Sequence, residues 1–423
     1  MQITFIDHKL NLRDGGGSNI TLHHMASELA NLGHEVTVVT VSPNRNAAPV
    51  DAPYRIEERQ LSTRTLDLRG KLALVSLMRE IDRDVDVFQI EAPSLILSGA
   101  LYRLFGGKKP VVARLHNYGF FCSNVRLMDA DCYRHCTLIN RLRHRPESIA
   151  RKVFLSPLRL FEQAMNRLLV NEVDRFVALS PAVADIHSWY GMSPDRMVII
   201  SPPLAPRLKG VHRSSTDLAT IRGPLFRILY TGRLSIEKGV DTLLRAAAQL
   251  KFPFAVDIVG EGVARPEFER LADELGIGSK VTFHGWVSQE AIIEYYRNAN
   301  LFVHPARWPE PAGRTVMEAM ALGVPMVISD IGGPPWIADD GALTFRPGDA
   351  VDLREKISRI YEDPSIAAQL AVAGRKRARQ FERREIVTQL IDMYTKICPE
   401  TEHRLRDISG LAHGTQPRSG RVR

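Results

Sequence analysis

The sequence predicts an α/β protein built from two Rossmann-like domains facing each other across an interdomain cleft. Three observations carry this expectation. Short apolar runs alternate with amphipathic stretches along both halves of the chain, and glycine-bearing turns follow the opening run of each half. Between the halves, residues 201–224 break the rhythm with Ser201-Pro202-Pro203, Pro206, Ser214-Ser215-Thr216 and Gly223-Pro224. At 423 residues the chain also exceeds the roughly 150 residues usual for one domain.

The first half opens on the apolar run Ile3 to Ile6, followed by Asp14-Gly15-Gly16-Gly17-Ser18-Asn19. Leu22, Met25, Leu29 and Leu32 then recur at helical spacing, Gly33 interrupts, and Val36 to Val41 forms a second apolar run. That is a strand–helix–strand unit. Further strands are expected at 85–90, 111–115, 175–179 and 197–200. A second series starts at Ile228 to Tyr230 and continues at 255–259, 281–284, 301–304 and 325–328, with helices including 240–250 and 315–322. The expected organisation is an N-terminal Rossmann-like domain at 1–203, a linker at 204–224 and a C-terminal Rossmann-like domain at 225–380. A helix within 381–398 is expected to pack back on the first domain, and the polar tail 399–423 to be disordered.

With 44% hydrophobic and 25% charged residues, the composition excludes a disordered chain, a collagen-like repeat and a small disulfide scaffold. The net charge of +8 is modest, and four cysteines are few for this length. The chain has no run of about 18 uncharged apolar residues, and Met1 to Asp7 reads as a strand rather than a signal peptide. A reduced, cytoplasmic protein is the expectation.

The most informative segment runs from Trp308 to Gly323. Glu310 stands in a proline-rich turn after a strand, and Glu318 follows eight residues later, in the first turns of a helix starting near Gly313. Backbone N–H groups at such a helix start suit a phosphate. Carboxylates on either side of an anion are badly placed to bind it, but well placed to accept hydrogen bonds from hydroxyls beside it. A sugar and a ribose fit that arrangement. The plainer reading makes Glu310 a solvated loop residue and Glu318 a helix acid favoured by the dipole.

In Thr231-Gly232-Arg233-Leu234-Ser235-Ile236-Glu237-Lys238-Gly239, Gly232 lets backbone approach a ligand while Arg233 and Lys238 present two cations at one strand end. Such a pair can hold a diphosphate and stabilise its charge as it leaves. The plainer reading pairs these cations with Glu237 or Asp241. Val259-Gly260-Glu261-Gly262 is a third strand-end glycine turn.

Together these residues resemble the family-4 retaining glycosyltransferases of the GT-B fold, over nearly the whole chain from Ile3 to about Ile397. The most specific parts are Gly232-Arg233…Glu237-Lys238-Gly239 and Glu310…Glu318 with Ala319-Met320-Ala321. The resemblance implies transfer of a sugar from a nucleotide-diphosphate donor to a hydroxyl acceptor, with retention and without a bound metal or other cofactor. Bacterial polysaccharide or glycolipid assembly is the setting it suggests. By the same likeness Arg233 and Lys238 bind the diphosphate, Glu310 contacts donor-sugar hydroxyls and Glu318 the ribose hydroxyls. Gly16 and Gly17 belong to a loop facing the transferring sugar, and His116 stands near the reacting sugar. Gly232, Gly260, Gly313, Arg314 and Thr315 complete the donor-binding set. The implied partners are a nucleotide sugar and a sugar or lipid-linked acceptor, with no nucleic acid.

The chain departs from the family at Ala312, commonly aromatic, at Arg314, commonly aliphatic, and at Trp336, often acidic. Arg314 at a helix start is electrostatically unfavourable without an anion nearby, so it is expected to contribute to diphosphate or acceptor-phosphate binding. Cys122, Cys132 and Cys136, near His116 and His135, match zinc-site spacing only loosely; inert thiols are the expectation. Residues 134–168 hold eight basic side chains against Glu147 and Glu162, interleaved with apolar ones. Such a stretch can lie on an anionic membrane surface or cover a core as a solvated helix face. Two alternatives share some of these features: a sugar-nucleotide epimerase of the same architecture, which needs no acceptor, and a nucleic-acid-binding protein. The basic stretch lacks the aromatic platform or helix-turn-helix the latter requires.

Overall fold

The computed structural model describes residues 1–12, 16–42, 50–61, 68–122, 134, 164–205, 208 and 225–398. The first sheet contains β1 (Gln2–Asp7), β2 (Glu35–Thr40), β3 (Arg55–Glu58) and β4 (Val87–Ile90). It continues with β5 (Val111–Leu115), β6 (Arg175–Ala178) and β7 (Met197–Ile199), in the spatial order β3-β2-β1-β4-β5-β6-β7. Helices α1 (Gly16–Asn31), α2 (Leu68–Ile81), α3 (Ile96–Leu104) and α4 (Pro181–Trp189) accompany it.

The second sheet has the order β10-β9-β8-β11-β12-β13. Its strands are β8 (Phe226–Thr231), β9 (Phe254–Val259), β10 (Val281–Gly285), β11 (Leu301–His304), β12 (Met326–Ser329) and β13 (Leu343–Phe345). Between them run α5 (Val240–Ala247), α6 (Arg265–Glu274), α7 (Ile292–Asn298), α8 (Arg314–Leu322) and α9 (Pro334–Ala338). The chain closes with α10 (Ala350–Glu362), α11 (Pro364–Ala378) and α12 (Arg383–Ile397).

The registered ladders are parallel in both sheets. Parallel neighbours need long crossovers, which helices supply, so their central strands are covered on both faces. Hence every residue of β5 is buried, with Arg114 the one charged side chain in an otherwise apolar run. Strands β3 and β13 lie outside the sequence expectation. Both stand at sheet edges, where a strand is half-solvated and its apolar signal fades. On α1, Leu22, Met25 and Leu29 are buried, whereas Leu32 follows the helix and is 41% exposed.

Contacts gather the described residues into two compact units. One holds those within 1–114 and 168–176 and from Val387 onward; the other holds those within 115–167 and 177–386. Strand order reverses between β1 and β4 in the first sheet and between β8 and β11 in the second. Chain segments leave such neighbours in opposite directions, which opens a crevice at their carboxyl ends where α/β proteins take ligands.

In the first unit a polar cluster is buried where β1, β4 and β5 run side by side. Gln89 donates to Glu91 Oε1 at 2.6 Å and accepts from the Tyr394 hydroxyl on α12. Burial pushes the Glu91 carboxyl up, against the pull of the buried Arg114 guanidinium. Asp7, the last residue of β1, is pushed up from 3.8 to about 7 by burial and then by Glu91, although His8 N donates to it at 2.7 Å. The folded chain therefore keeps a proton on Asp7 that the unfolded chain has released across this window. Asp7 makes stability fall as pH rises from about 4 to about 7, and its contribution levels off above that. Asp7→Asn cannot titrate and should lose this part of the slope. Melting curves at several pH values test it; identical slopes in both proteins would count against the burial argument.

Candidate active site

The crevice of the second sheet is built from backbone outward. β8 ends at Thr231, and the chain turns through Gly232 to a single 3-10 turn, Ile236–Lys238, before α5. Gly239 adopts a left-handed φ of 70°, and a Cβ there would sit 1.9 Å from the carbonyl oxygen of Pro305. Only glycine permits that approach. It draws Lys238 onto the segment that leaves the neighbouring strand β11, which carries Glu310.

Lys238 Nζ donates to Glu310 Oε1 at 2.8 Å, and His304 Nε2 lies 2.9 Å from Glu310 Oε2. The Lys238 and Glu310 side chains are only 12% and 17% exposed. Burial alone would push the Glu310 carboxyl up, but the Lys238 ammonium and then His304 overcome it and hold it well below the ordinary carboxylate range. Glu310 is therefore neither a solvated loop residue nor a group awaiting a proton. It is an ionised acceptor with the Lys238 ammonium on one oxygen and the His304 imidazole beside the other. Glu237 and Asp241 are not the partners of Lys238; the Asp241 carboxylate accepts from Arg307 instead. Lys238 also stands 5.6 Å from the ring centre of the buried Trp308.

The backbone around Glu310 is fixed from several sides. The Tyr118 hydroxyl donates to Pro309 O at 2.7 Å, and the Ser180 hydroxyl to Pro311 O at 2.8 Å. Gly333 N donates to Glu310 O at 2.7 Å. A Cβ on Gly332 would come within 2.6 Å of the Glu310 backbone, and one on Gly333 within 2.1 Å of Pro311 O. The glycine pair is thus required by the contact that seats the acidic turn. Trp336, just beyond it, lies under the Arg377 guanidinium at 5.3 Å, and Arg377 donates to its carbonyl at 3.0 Å.

Glu318, on the second turn of α8, is buried and accepts from the Tyr296 hydroxyl at 3.2 Å. The same hydroxyl bonds Thr231 Oγ1 at 2.7 Å, and Thr315 O, also 3.2 Å away, shares its one proton with Glu318. Glu318 and Thr315 are thereby tied to the end of β8, two positions before Arg233. Arg233 is exposed, and its carbonyl accepts from the Tyr230 hydroxyl at 2.9 Å. Gly260 N donates to Gly285 O at 2.8 Å, and a Cβ on Gly260 would sit 1.9 Å from Gly232 O. Gly313, with φ 76°, brings no capping side chain to the start of α8, and Arg314 is the first helical residue. That is the geometry in which backbone N–H groups take an anion.

His116 is half-buried just after β5, in the same compact unit. Gly16 and Gly17 open α1 in the other unit, where Gly17 O accepts from Thr21 Oγ1 at 2.8 Å. Gly15, Cys132, His135, Cys136 and most of 134–168 lie outside the described residues. Cys122 is half-buried, and no group of three or more metal-ligating side chains occurs among the described residues. His304, Tyr118, Ser180 and Tyr296 were not legible as site residues. Each acts through a partner distant in sequence, and a histidine ending an apolar strand carries no local signal of its role.

Comparison with known proteins gives two family matches: "Glycosyl transferases group 1" over residues 219–377 and "Glycosyltransferase Family 4" over residues 15–207. A D-inositol 3-phosphate glycosyltransferase of Thermomonospora curvata is 32% identical over 52% of this chain. The match spans 57% of that relative's own length. The enzyme of the same name from Rhodococcus erythropolis is 26% identical, over 90% of this chain and 87% of its own. The crystal structure of Anabaena HepE in complex with UDP and glucose superposes with a TM-score of 0.67 at 20% identity. That superposition covers 93% of this chain and 99% of HepE.

Proposed function

We propose that this chain, which belongs to glycosyltransferase family 4, moves a sugar from a nucleoside-diphosphate donor to a hydroxyl acceptor with retention of configuration. Its two Rossmann-like sheets have the GT-B architecture of its structural neighbours. The observation that carries the reading is the Lys238–Glu310–His304 cluster at the strand-order reversal of the second sheet. A cation that can be released to an anion sits beside a carboxylate held ionised for hydroxyls. The names of the relatives, acting on a phosphorylated cyclitol, and UDP with glucose in HepE support the same substrate classes.

In the proposed reaction the bond from the sugar's anomeric carbon to the diphosphate oxygen breaks, and its electron pair leaves with the diphosphate. The acceptor oxygen bonds the anomeric carbon on the same face and passes its proton to the departing diphosphate oxygen. Arg233, Lys238 and Arg314, with the start of α8 at Gly313 and Thr315, stabilise the leaving charge, a role a divalent ion fills elsewhere. We assign donor-sugar hydroxyls to Glu310 and ribose hydroxyls to Glu318. His116, Gly16 and Gly17 are assigned to the reacting sugar, and no resident metal to the site. Acceptors in polysaccharide or glycolipid assembly fit this chemistry, with residues 134–168 docking on anionic lipid where the acceptor is lipid-linked. No helix among the described residues is long and apolar enough to cross a membrane.

Thermal unfolding with a panel of UDP- and GDP-sugars tests the donor class. A bound donor at 100 times its Kd adds about 2.7 kcal/mol, a shift of several degrees. The matched donor should then give a product of unchanged anomeric configuration by NMR. A panel without any stabilising member, or an inverted product, would overturn the reading; an epimer formed without acceptor would replace it.

A further inference from the structure

We propose that His304 keeps Glu310 aimed at the donor sugar once the donor's diphosphate draws Lys238 away. This rests on the nucleotide-sugar reading above. Lys238 and His304 hold different oxygens of one carboxylate, Oε1 at 2.8 Å and Oε2 at 2.9 Å. A diphosphate competes with Oε1 for the Lys238 ammonium. The more highly charged group takes the ammonium, and Oε1 opens as an acceptor for a sugar hydroxyl. Oε2 stays on the histidine.

The two partners are built for these different tasks. Lys238 ends a 3-10 turn and has a flexible four-carbon stem. His304 is the last residue of β11, a central strand between β8 and β12, and its side chain is 4% exposed. Its ring stacks on Phe302 at 6.5 Å, and its carbonyl accepts from Ser329 Oγ at 3.3 Å. At 2.9 Å from a carboxylate oxygen, Nε2 carries a proton, since two facing lone pairs would repel. Neither ring nitrogen and not Oε2 has a well-aligned hydrogen-bond partner among the described residues, so Nε2 and Oε2, buried side by side, have only each other to turn to.

His304 is not needed to seat the loop. Tyr118, Ser180 and Gly333 already hold the carbonyls of Pro309, Pro311 and Glu310. Those contacts leave the last torsion of Glu310 undetermined, and that torsion is intrinsically broad for a carboxylate. With Lys238 withdrawn, His304 alone among these groups fixes it. His304 is a positioning residue acting through Glu310.

The test uses His304→Leu and His304→Gln in the full chain, with the donor selected by the thermal panel and its sugar-free diphosphate, UDP or GDP. His304→Leu should lower kcat about 30- to 100-fold, as loss of orientation does. Affinity for the sugar-free diphosphate, which engages Lys238 and not Glu310, should stay within about twofold by the same argument. His304→Gln restores an N–H donor and should recover most of the kcat. Wild-type kcat in His304→Leu would overturn the proposal. So would equal losses in both variants accompanied by weakened diphosphate binding, the mark of a merely structural role. If the wild-type chain binds no nucleotide sugar, it is the reading of the donor that fails, and this one with it.

Discussion

Replacing Lys238 with alanine should lower kcat roughly 100- to 1,000-fold, the usual cost of removing a preorganised charge partner for a leaving oxyanion. The ammonium stands beyond the carboxyl end of β8, and the close approach of Gly239 to Pro305 holds its backbone towards the neighbouring strand. The same variant should also lose stability. It leaves Glu310 ionised, 17% exposed and held only by His304, a loss of roughly 1–3 kcal/mol for a partly buried pair. Two readouts separate these effects. Lys238→Met combined with Glu310→Gln removes both charges and should recover most of the melting temperature, because the penalty came from an uncompensated charge. It should recover no activity. A Lys238→Ala enzyme with near-normal turnover would contradict the assignment of the site.

Glu310→Gln should lower kcat about 100-fold while tightening the sugar-free nucleoside diphosphate roughly three- to tenfold. The second effect follows from internal competition. In the unliganded chain Lys238 is engaged by Glu310 at 2.8 Å, so an incoming diphosphate competes with a carboxylate for the cation. Removing that competitor raises the fraction of binding-competent sites, and apparent affinity rises in proportion. The lost turnover reports what Glu310 does for the sugar; an amide has one oxygen and cannot accept from His304 and from a sugar hydroxyl through separate oxygens. Calorimetric titration of UDP or GDP into both proteins, beside steady-state rates, decides the point. Weaker diphosphate binding in the variant would show that Glu310 supports Lys238 rather than competing for its partner.

Much of the fold could be read locally. The apolar runs of β1, β4, β5, β8, β9 and β11 are short stretches covered on both faces of a parallel sheet, and burial on both faces leaves little room for polar residues. Edge strands β3, Arg-Ile-Glu-Glu, and β13, Leu-Thr-Phe, escaped because one side of each meets solvent. The glycine turns were legible as places of close backbone approach. What each glycine approaches was not: Gly239 meets Pro305, and Gly332 meets Glu310.

The candidate site shows the same division more sharply. Lys238, Glu310 and Glu318 could be singled out because their residue types recur at the spacing of one enzyme family. Their partners could not. Lys238 and Glu310 are separated by 72 positions, and Tyr118 meets Pro309 across 191. His304 was visible only as the end of an apolar run. Its task depends on a turn that brings a carboxylate back over the strand from which it left.

By itself, then, the sequence determined that the chain alternates strand and helix twice over, which family it belongs to, and which charged residues carry its motifs. Those properties follow from residue type and spacing along the chain, where burial and backbone preference act over a few positions. Only the tertiary structure decided that β8 and β11 are neighbours, that Glu310 has Lys238 on one oxygen and His304 beside the other, and that the histidine is rigid and the lysine releasable. Strand order is set by packing among segments far apart in the chain, and ionic partners are chosen by proximity in space.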